Sequence, residues 1–174
     1  MTEGAAQALR VIMGSSRFEA SGEKSTVARA AQDLSEGAGA SGTGDGDVCR
    51  VYTPAGTAEA ELRITWRRSG SVPPSDPAPK FTVLPMGERA LTATDGASLR
   101  FACRSGKLTG AGPAHVDIGV ERGGMPTTPE GDPDELRDAY ATVAHSFALT
   151  MARELGCEDD AGLEPRPALD PVPR

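Results

Sequence analysis

The feature that most constrains this chain is a change of hydrophobic period near residue 48, after which apolar and polar residues alternate. In one segment Leu62, Ile64 and Trp66 are apolar, and the residues between them are polar. The alternating segments are 48–52, 62–67, 81–84, 88–93, 99–104 and 115–121. Because successive side chains of a strand point to opposite faces, this pattern predicts an antiparallel sheet with one buried and one solvated face. We expect about five strands in this sheet.

The most regular helical pattern lies between residues 133 and 155. Asp132 is a predicted N-cap, Pro133 suits the first turn, and Gly156 is a natural C-terminal stop. Apolar side chains form one stripe at helical spacing, and these are Leu136, Tyr140, Val143, Phe147, Met151 and Leu155. Shorter helices are predicted at 5–13 and 23–35. The predicted fold class is therefore α+β, with the long C-terminal helix packed on one face of the sheet beside short N-terminal helices.

The segments between these elements are rich in glycine and proline, which number 21 and 14 in the chain. Residues 37–47 have the composition of a flexible glycine-rich loop. Residues 158–174 are acidic and proline-rich, which predicts a disordered tail. Residues 1–157 are therefore expected to form a single domain.

The net charge of −7 disfavours proteins that bind nucleic acids without sequence preference, because such proteins need cations against phosphate. No apolar run approaches the length of a membrane span, so none is predicted. The glycine-rich segments lack the Lys-Ser/Thr ending of a phosphate-binding loop. No cofactor is predicted.

The three cysteines are Cys49, Cys103 and Cys157. Cys49 and Cys103 both lie in predicted strands, and strand cysteines in one sheet can approach closely enough to form a disulfide. We predict this pair; the alternative is that both are reduced, buried thiols. Cys157 then lacks a partner, unless one lies upstream or in another chain. The spacing of cysteines and histidines fits no zinc motif, so no metal site is predicted.

Arginines mark the solvated face of the predicted sheet. Those with the clearest position are Arg63, Arg67, Arg100 and Arg104. A cluster of guanidinium groups can bind a carboxylate or phosphate in bidentate fashion, so these four are the candidate binding residues. The alternative is that they form cross-strand ion pairs with neighbouring acids.

Two histidines are candidate catalytic groups. His115 shares a strand face with Asp117, and a carboxylate can orient an imidazole for acid–base work. His145 lies on the last helix away from the apolar stripe, where we expect it to face solvent or the edge of a smoother flank. The chain contains no Gly-x-Ser-x-Gly motif to supply a nucleophile.

The strand cysteines, the antiparallel sheet and the closing helix with residues 144–157 together resemble small exported proteins and lipoproteins of streptomycetes and related actinobacteria. The composition agrees with a GC-rich genome, since the chain has no asparagine and only three lysines among 18 basic residues. The resemblance implies a compact α+β domain with cysteine bridges behind a leader or membrane anchor. It implies no catalytic residues.

The first residues show no basic segment followed by an apolar one, so no secretory leader is predicted in this sequence. We expect an extracytoplasmic domain whose leader is absent from this sequence, or else a cytoplasmic protein. The predicted function is a non-enzymatic binding module of an actinobacterial cell envelope, with a protein or envelope component as its partner. The alternatives are a small hydrolase or isomerase that uses His115 with Asp117, or His145, and a cytoplasmic adaptor.

Overall fold

The computed structural model describes residues 2–17, 19–20, 27–37, 42–53, 61–70, 75–123 and 129–173. The strands are β1 (Glu19–Ala20), β2 (Gly44–Tyr52), β3 (Glu61–Ser69), β4 (Thr82–Leu84), β5 (Arg89–Ala93), β6 (Gly96–Cys103) and β7 (Ala114–Gly123). The helices are α1 (Glu3–Met13), α2 (Val27–Glu36) and α3 (Pro133–Glu154).

The strands form one open antiparallel sheet in the order β1-β2-β3-β7-β6-β5-β4. The α+β class with its antiparallel sheet is confirmed. The sheet has six main strands and the two-residue edge strand β1, slightly more than the expected five. The predicted alternation sets the faces, because Leu62, Ile64, Trp66, Phe101 and Ile118 are all buried on the side that the helices cover.

Helix α3 begins and ends as the sequence predicts. The Asp132 side chain accepts hydrogen bonds from the backbone N–H groups of Asp134 and Glu135. At the other end Gly156 adopts a positive φ of 68°, and the N–H of Cys157 donates to the carbonyl of Ala152. This Schellman arrangement satisfies the last helical carbonyls and turns the chain back toward the sheet.

Helix α3 is buried on more than the predicted stripe. Its 22 residues span about 33 Å. Its stripe packs on the sheet, while alanines such as Ala141 and Ala148 are also buried where α1 and α2 pack beside α3. The hydroxyl of Thr92 in β5 donates to the carbonyl of Arg137, which fixes the first turns of α3 to this strand. The long helix therefore packs against both the sheet and the two shorter helices.

Residues 44–47 of the predicted 37–47 loop are strand, since β2 begins at Gly44, whereas residues 37, 42 and 43 are in no helix or strand and residues 38–41 lie outside the described residues. The reason is the indole of Trp66 on β3. A Cβ at Gly46 would lie 2.8 Å from the Trp66 Nε1 atom, and one at Gly44 would lie 3.5 Å from its Cη2 atom. Glycine is needed at Gly46, where the ring covers the strand backbone, whereas the 3.5 Å at Gly44 is an ordinary contact distance.

The predicted disordered tail also has a defined position. Residues 158–162 form a short 3-10 turn in which Asp159, Asp160 and Ala161 have positive φ values of 49°, 49° and 59°. Leu163 is then buried against the core, and the N–H of Val172 donates to the carbonyl of Val83 in β4. The apolar residues of this segment outweigh its proline and acid content, so the tail belongs to the domain.

The predicted disulfide between Cys49 and Cys103 is wrong, because Cys103 bonds to Cys157. Cys49 lies on β2, which β3 and β7 separate from β6. Three strand spacings of about 4.8 Å exceed the distance that a disulfide can bridge. Cys157 instead leaves the end of α3 directly above the end of β6. The bridge closes 54 residues, a loop for which the chain-entropy estimate is about 4 kcal/mol.

The cysteine arrangement predicts a distinctive thiol count. Cys49 is free and buried, and burial raises its pKa to about 11, so its reactive thiolate is scarce at neutral pH. A thiol reagent should modify almost nothing in the folded protein, one thiol in denaturant, and all three after reduction.

A Cys49→Ala variant is the control, and it should show no thiol in denaturant until reductant is added. Three reactive thiols in denatured, unreduced protein would contradict the Cys103–Cys157 bridge.

The contact between Trp66 and β2 predicts that Gly46→Ala destabilises the protein. The added methyl group forces the indole away from the strand, which should lower the free energy of unfolding by about 1–3 kcal/mol. Urea denaturation followed by Trp66 fluorescence measures this change. Gly106→Ala is the matched control, because a Cβ there meets nothing within 4 Å. Equal stability of the two variants would show that the ring does not require glycine.

Candidate functional site

The arginines predicted to bind a partner do share the solvated face of the sheet, but acids surround them. Arg63 contacts the Asp47 carboxylate at 2.7 Å. Arg100 lies 3.4 Å from Glu88 and 3.7 Å from Asp117, and it also donates to the carbonyl of Gly70. These cations are already partnered within the protein.

The same arginines influence the pKa values of the carboxylates on this face. Partial burial alone would raise the pKa of Asp47, but hydrogen bonds from Arg63 and Arg50 leave that pKa below its usual value. Burial raises the pKa of Asp117, although Arg100 and Arg67 oppose the rise. The face is a mixed-charge network rather than a positive patch.

The other two predicted binding arginines are exposed. Arg67 forms no ion pair with a described residue, although the register places it beside Asp45 and Asp117. Arg104 follows β6, and its carbonyl accepts a hydrogen bond from the N–H of Glu158. Binding of a partner by this face stays a prediction.

His115 is oriented by a different carboxylate from the expected one. Its Nδ1 atom lies 2.8 Å from Glu88 Oε2, while Asp117 is paired with Arg100. Spacing within one strand could not reveal Glu88, which is 27 residues away and reaches the face from the turn before β5. The result is a His–Glu pair at the edge of the charged network.

Arg68 occupies the opposite face from the other arginines. Only 5% of its surface is exposed, and its Nη2 atom donates to the carbonyl of Thr109 at 2.7 Å. Its Nη1 atom has no hydrogen-bond partner among the described residues. Arg68 follows Trp66 by two residues, so the alternation of β3 places it in the core.

His145 does not face solvent as expected, since only 3% of its surface is exposed. Its Nε2–H donates to the backbone carbonyl of Glu164 at 2.9 Å, with the proton position inferred from this acceptor. The helical position of His145 could not show this, because the covering segment lies 19 residues further on. Burial lowers the pKa of His145, although the Glu164 carbonyl opposes the shift.

A cleft of about 600 Å³ lies beside His145. One wall is a single face of α3, because its residues recur at spacings of three and four. The second wall is the start of α1, and the third is the tail at Pro165–Pro167. The lining residues are Thr2, Gly4, Gln7, Thr142, His145, Ser146, Leu149, Thr150, Arg153, Pro165, Arg166 and Pro167. Its size is within the range of small-ligand sites.

Two polar residues that line this cleft, His145 and Ser146, are nine-tenths buried. Because Nε2 of His145 is the donor to Glu164, Nδ1 carries the lone pair of the neutral ring. Neither Nδ1 nor the hydroxyl of Ser146, which is 9% exposed, has a hydrogen-bond partner among the described residues. Thr142 and Thr150, by contrast, donate to the helix carbonyls four residues before them. Nδ1 and the Ser146 hydroxyl are therefore available to a ligand.

Sequence reasoning named His145 but missed the rest of this site. Ser146 and Arg153 already share one face of α3, but Arg166 joins them at the cleft only because the tail folds back over that helix. The available signal was the apolar content of the tail, since Leu163 and Leu169 are atypical of a disordered segment.

Among the described residues, no group of three or more His, Cys, Asp or Glu side chains could hold a metal ion. No helix in the described part of the chain is long and apolar enough to cross a membrane. Comparison with protein-family models, curated proteins and solved structures finds no match for this chain.

The burial of neutral His145 predicts a pH dependence of stability. The unfolded histidine has an ordinary pKa of about 6.5, whereas the folded pKa is lower, so below that pH the unfolded state takes up more protons. The contribution of neutral His145 is complete above the unfolded pKa and is lost as the pH falls toward the folded pKa.

His145→Gln should therefore flatten the fall in unfolding free energy between pH 7 and 5, by at most about 1.4 kcal/mol per pH unit. Urea denaturation at several pH values measures the slopes. His115→Gln, which alters the opposite face of the sheet, is the matched control. Parallel slopes for wild type and His145→Gln would contradict the burial of a neutral ring.

Proposed function

We propose that this protein is a non-enzymatic binding module that takes a small ligand in the cleft between α1, α3 and the tail. The observation that carries the proposal is that two mostly buried residues, His145 and Ser146, line the cleft and leave Nδ1 and a hydroxyl without a hydrogen bond to any described residue. A ligand that hydrogen-bonds to both groups meets polar groups that are already in place, so little free energy is spent on reorganising the site.

The arrangement favours binding over catalysis. A nucleophile needs a base within hydrogen-bond reach, and that base is usually oriented by a third polar group. Ser146 and His145 are consecutive on a helix, so their side chains point about 100° apart. The His145 ring is held by a backbone carbonyl rather than by a carboxylate. These contacts orient the ring to accept a hydrogen bond from a ligand.

The proposed setting is extracytoplasmic, in the envelope of an actinobacterium. The Cys103–Cys157 bridge supports it, because disulfides persist in oxidising compartments and are rare in the cytosol. A cytoplasmic adaptor, the competing proposal, would hold both thiols reduced.

A hydrolase or isomerase is the second candidate, and the observation that favours it is the contact between His115 and Glu88. A carboxylate-oriented imidazole is a usable general base. If this candidate is correct, any hydrolytic or isomerase activity of the protein should be lost in His115→Ala and kept in His145→Ala.

A blocked cleft tests the binding function. Gly4 lines the cleft, and a Cβ there meets nothing within 4 Å, so the side chain of Gly4→Trp starts in open space and should obstruct the cleft. A chemically mixed fragment library would be screened by NMR. Fragments should shift the amide signals of residues 142–153 in wild type, and at least about tenfold more weakly in Gly4→Trp.

Gly106→Trp is the matched control, because its Cβ is equally unobstructed and Gly106 does not line the cleft. This variant should bind fragments like wild type. If no fragment shifts residues 142–153 in wild type, the proposed binding function is wrong.

A further inference from the structure

The charged side chains that line the cleft are all positive. Arg153 and Arg166 contribute guanidinium groups, and no lining residue carries a carboxylate, although the chain as a whole has a net charge of −7. A concave site with cations and no anion attracts negative ligands against the general charge of the protein.

The guanidinium groups of Arg153 and Arg166 still have nitrogens that can bind an anion. Arg153 contacts Asp160 through Nε at 3.0 Å, and its terminal nitrogens make no hydrogen bond to a described residue. Arg166 is exposed and has no carboxylate partner among the described residues. The two terminal nitrogens of a guanidinium group can bind two oxygens of one anion.

The N-terminal end of α1 adds to the positive electrostatic potential of the cleft. Thr2 caps this helix of 11 residues by accepting from the N–H of Ala5, and Gly4 brings the first turn to the cleft wall. The N-terminal end of a helix carries about half a positive charge and free N–H groups. Glu3 lies in this turn but is exposed and does not line the cleft.

The buried groups add a second requirement. Nδ1 of His145 accepts a hydrogen bond, and it lies on the same wall as the apolar side chain of Leu149. Leu149 is 6% exposed, so it adds a small apolar surface to this wall, and an inorganic anion has no apolar body to cover it. A carbon skeleton that carries an oxyanion at one end and a hydroxyl or N–H group along its length would satisfy both requirements.

Building on the proposed function, we infer that the ligand of this cleft is a small organic oxyanion. Its carboxylate or phosphate group binds Arg153, Arg166 and the N-terminal turn of α1. Its apolar body lies over Leu149, and its hydroxyl or N–H group donates to Nδ1 of His145.

Matched ligands test this inference. Each of a set of hydroxylated carboxylic acids would be compared with its primary amide, and each of a set of phosphate monoesters with its parent alcohol, by NMR titration of residues 142–153. Every anion of the preferred set should bind wild type at least about tenfold more tightly than its neutral counterpart. A preference in one set alone identifies whether the oxyanion is a carboxylate or a phosphate.

Variants that lack selected arginines show which of them cause the preference for anions. Arg153→Gln combined with Arg166→Gln should reduce the anion preference to about threefold or less. Arg63→Gln combined with Arg67→Gln is the control, since it removes the same charge from the solvated face of the sheet and should keep the preference. Arg153 is on the surface in the last turn of α3, so its replacement leaves the core intact.

The possible results distinguish a failure of the oxyanion inference from a failure of the binding function on which it rests. If neutral and anionic partners bind the cleft equally, the oxyanion inference is wrong while the binding function stands. Equal loss of preference in both double variants would also overturn it, because the effect would then be one of net charge. If no compound of any class binds the cleft, the binding function itself fails and the inference fails with it.

Discussion

The attachment of the end of α3 to the end of β6 is the constraint on which the rest of this structure depends. Cys157 bonds to Cys103, and the neighbouring backbone adds the hydrogen bond from Glu158 N–H to the carbonyl of Arg104. The hydroxyl of Ser105 donates to the last helical carbonyl at Leu155. Beyond this attachment the chain runs back along α3. The tail therefore covers His145 and forms the third wall of the cleft.

The two faces of the molecule use their charges differently. On the solvated face of the sheet, arginines and acids neutralise each other across the strands, which stabilises the face at modest strength and leaves little net charge for a partner. The lining of the cleft carries Arg153 and Arg166 and no acid, although Asp160, outside the lining, pairs with Nε of Arg153. Both surfaces contain arginines, so the number of arginines does not distinguish them. The position of the carboxylates does, because acids lie among the arginines of the sheet face and none lies on the lining of the cleft.

Much of the fold could be predicted because its signals are local. The alternation of Leu62, Ile64 and Trp66 sets the sheet face, and Asp132 and Gly156 set the ends of α3. The glycine-rich start of β2 could not be predicted from composition, since the indole that covers it comes from the neighbouring strand. Of the candidate site, only His145 was found in advance, and its burial was not.

The sequence by itself determined which segments become helix or strand and which side of each is apolar, because these properties follow from residue spacing along a few turns or a few strand positions. Only the tertiary structure decided which cysteines pair, which carboxylate faces His115, and what covers His145. Those outcomes depend on the strand order, which places β6 three strands from β2, and on a tail that packs along the helix before it. Contacts between distant residues are set by how the elements pack together, and no local pattern records them.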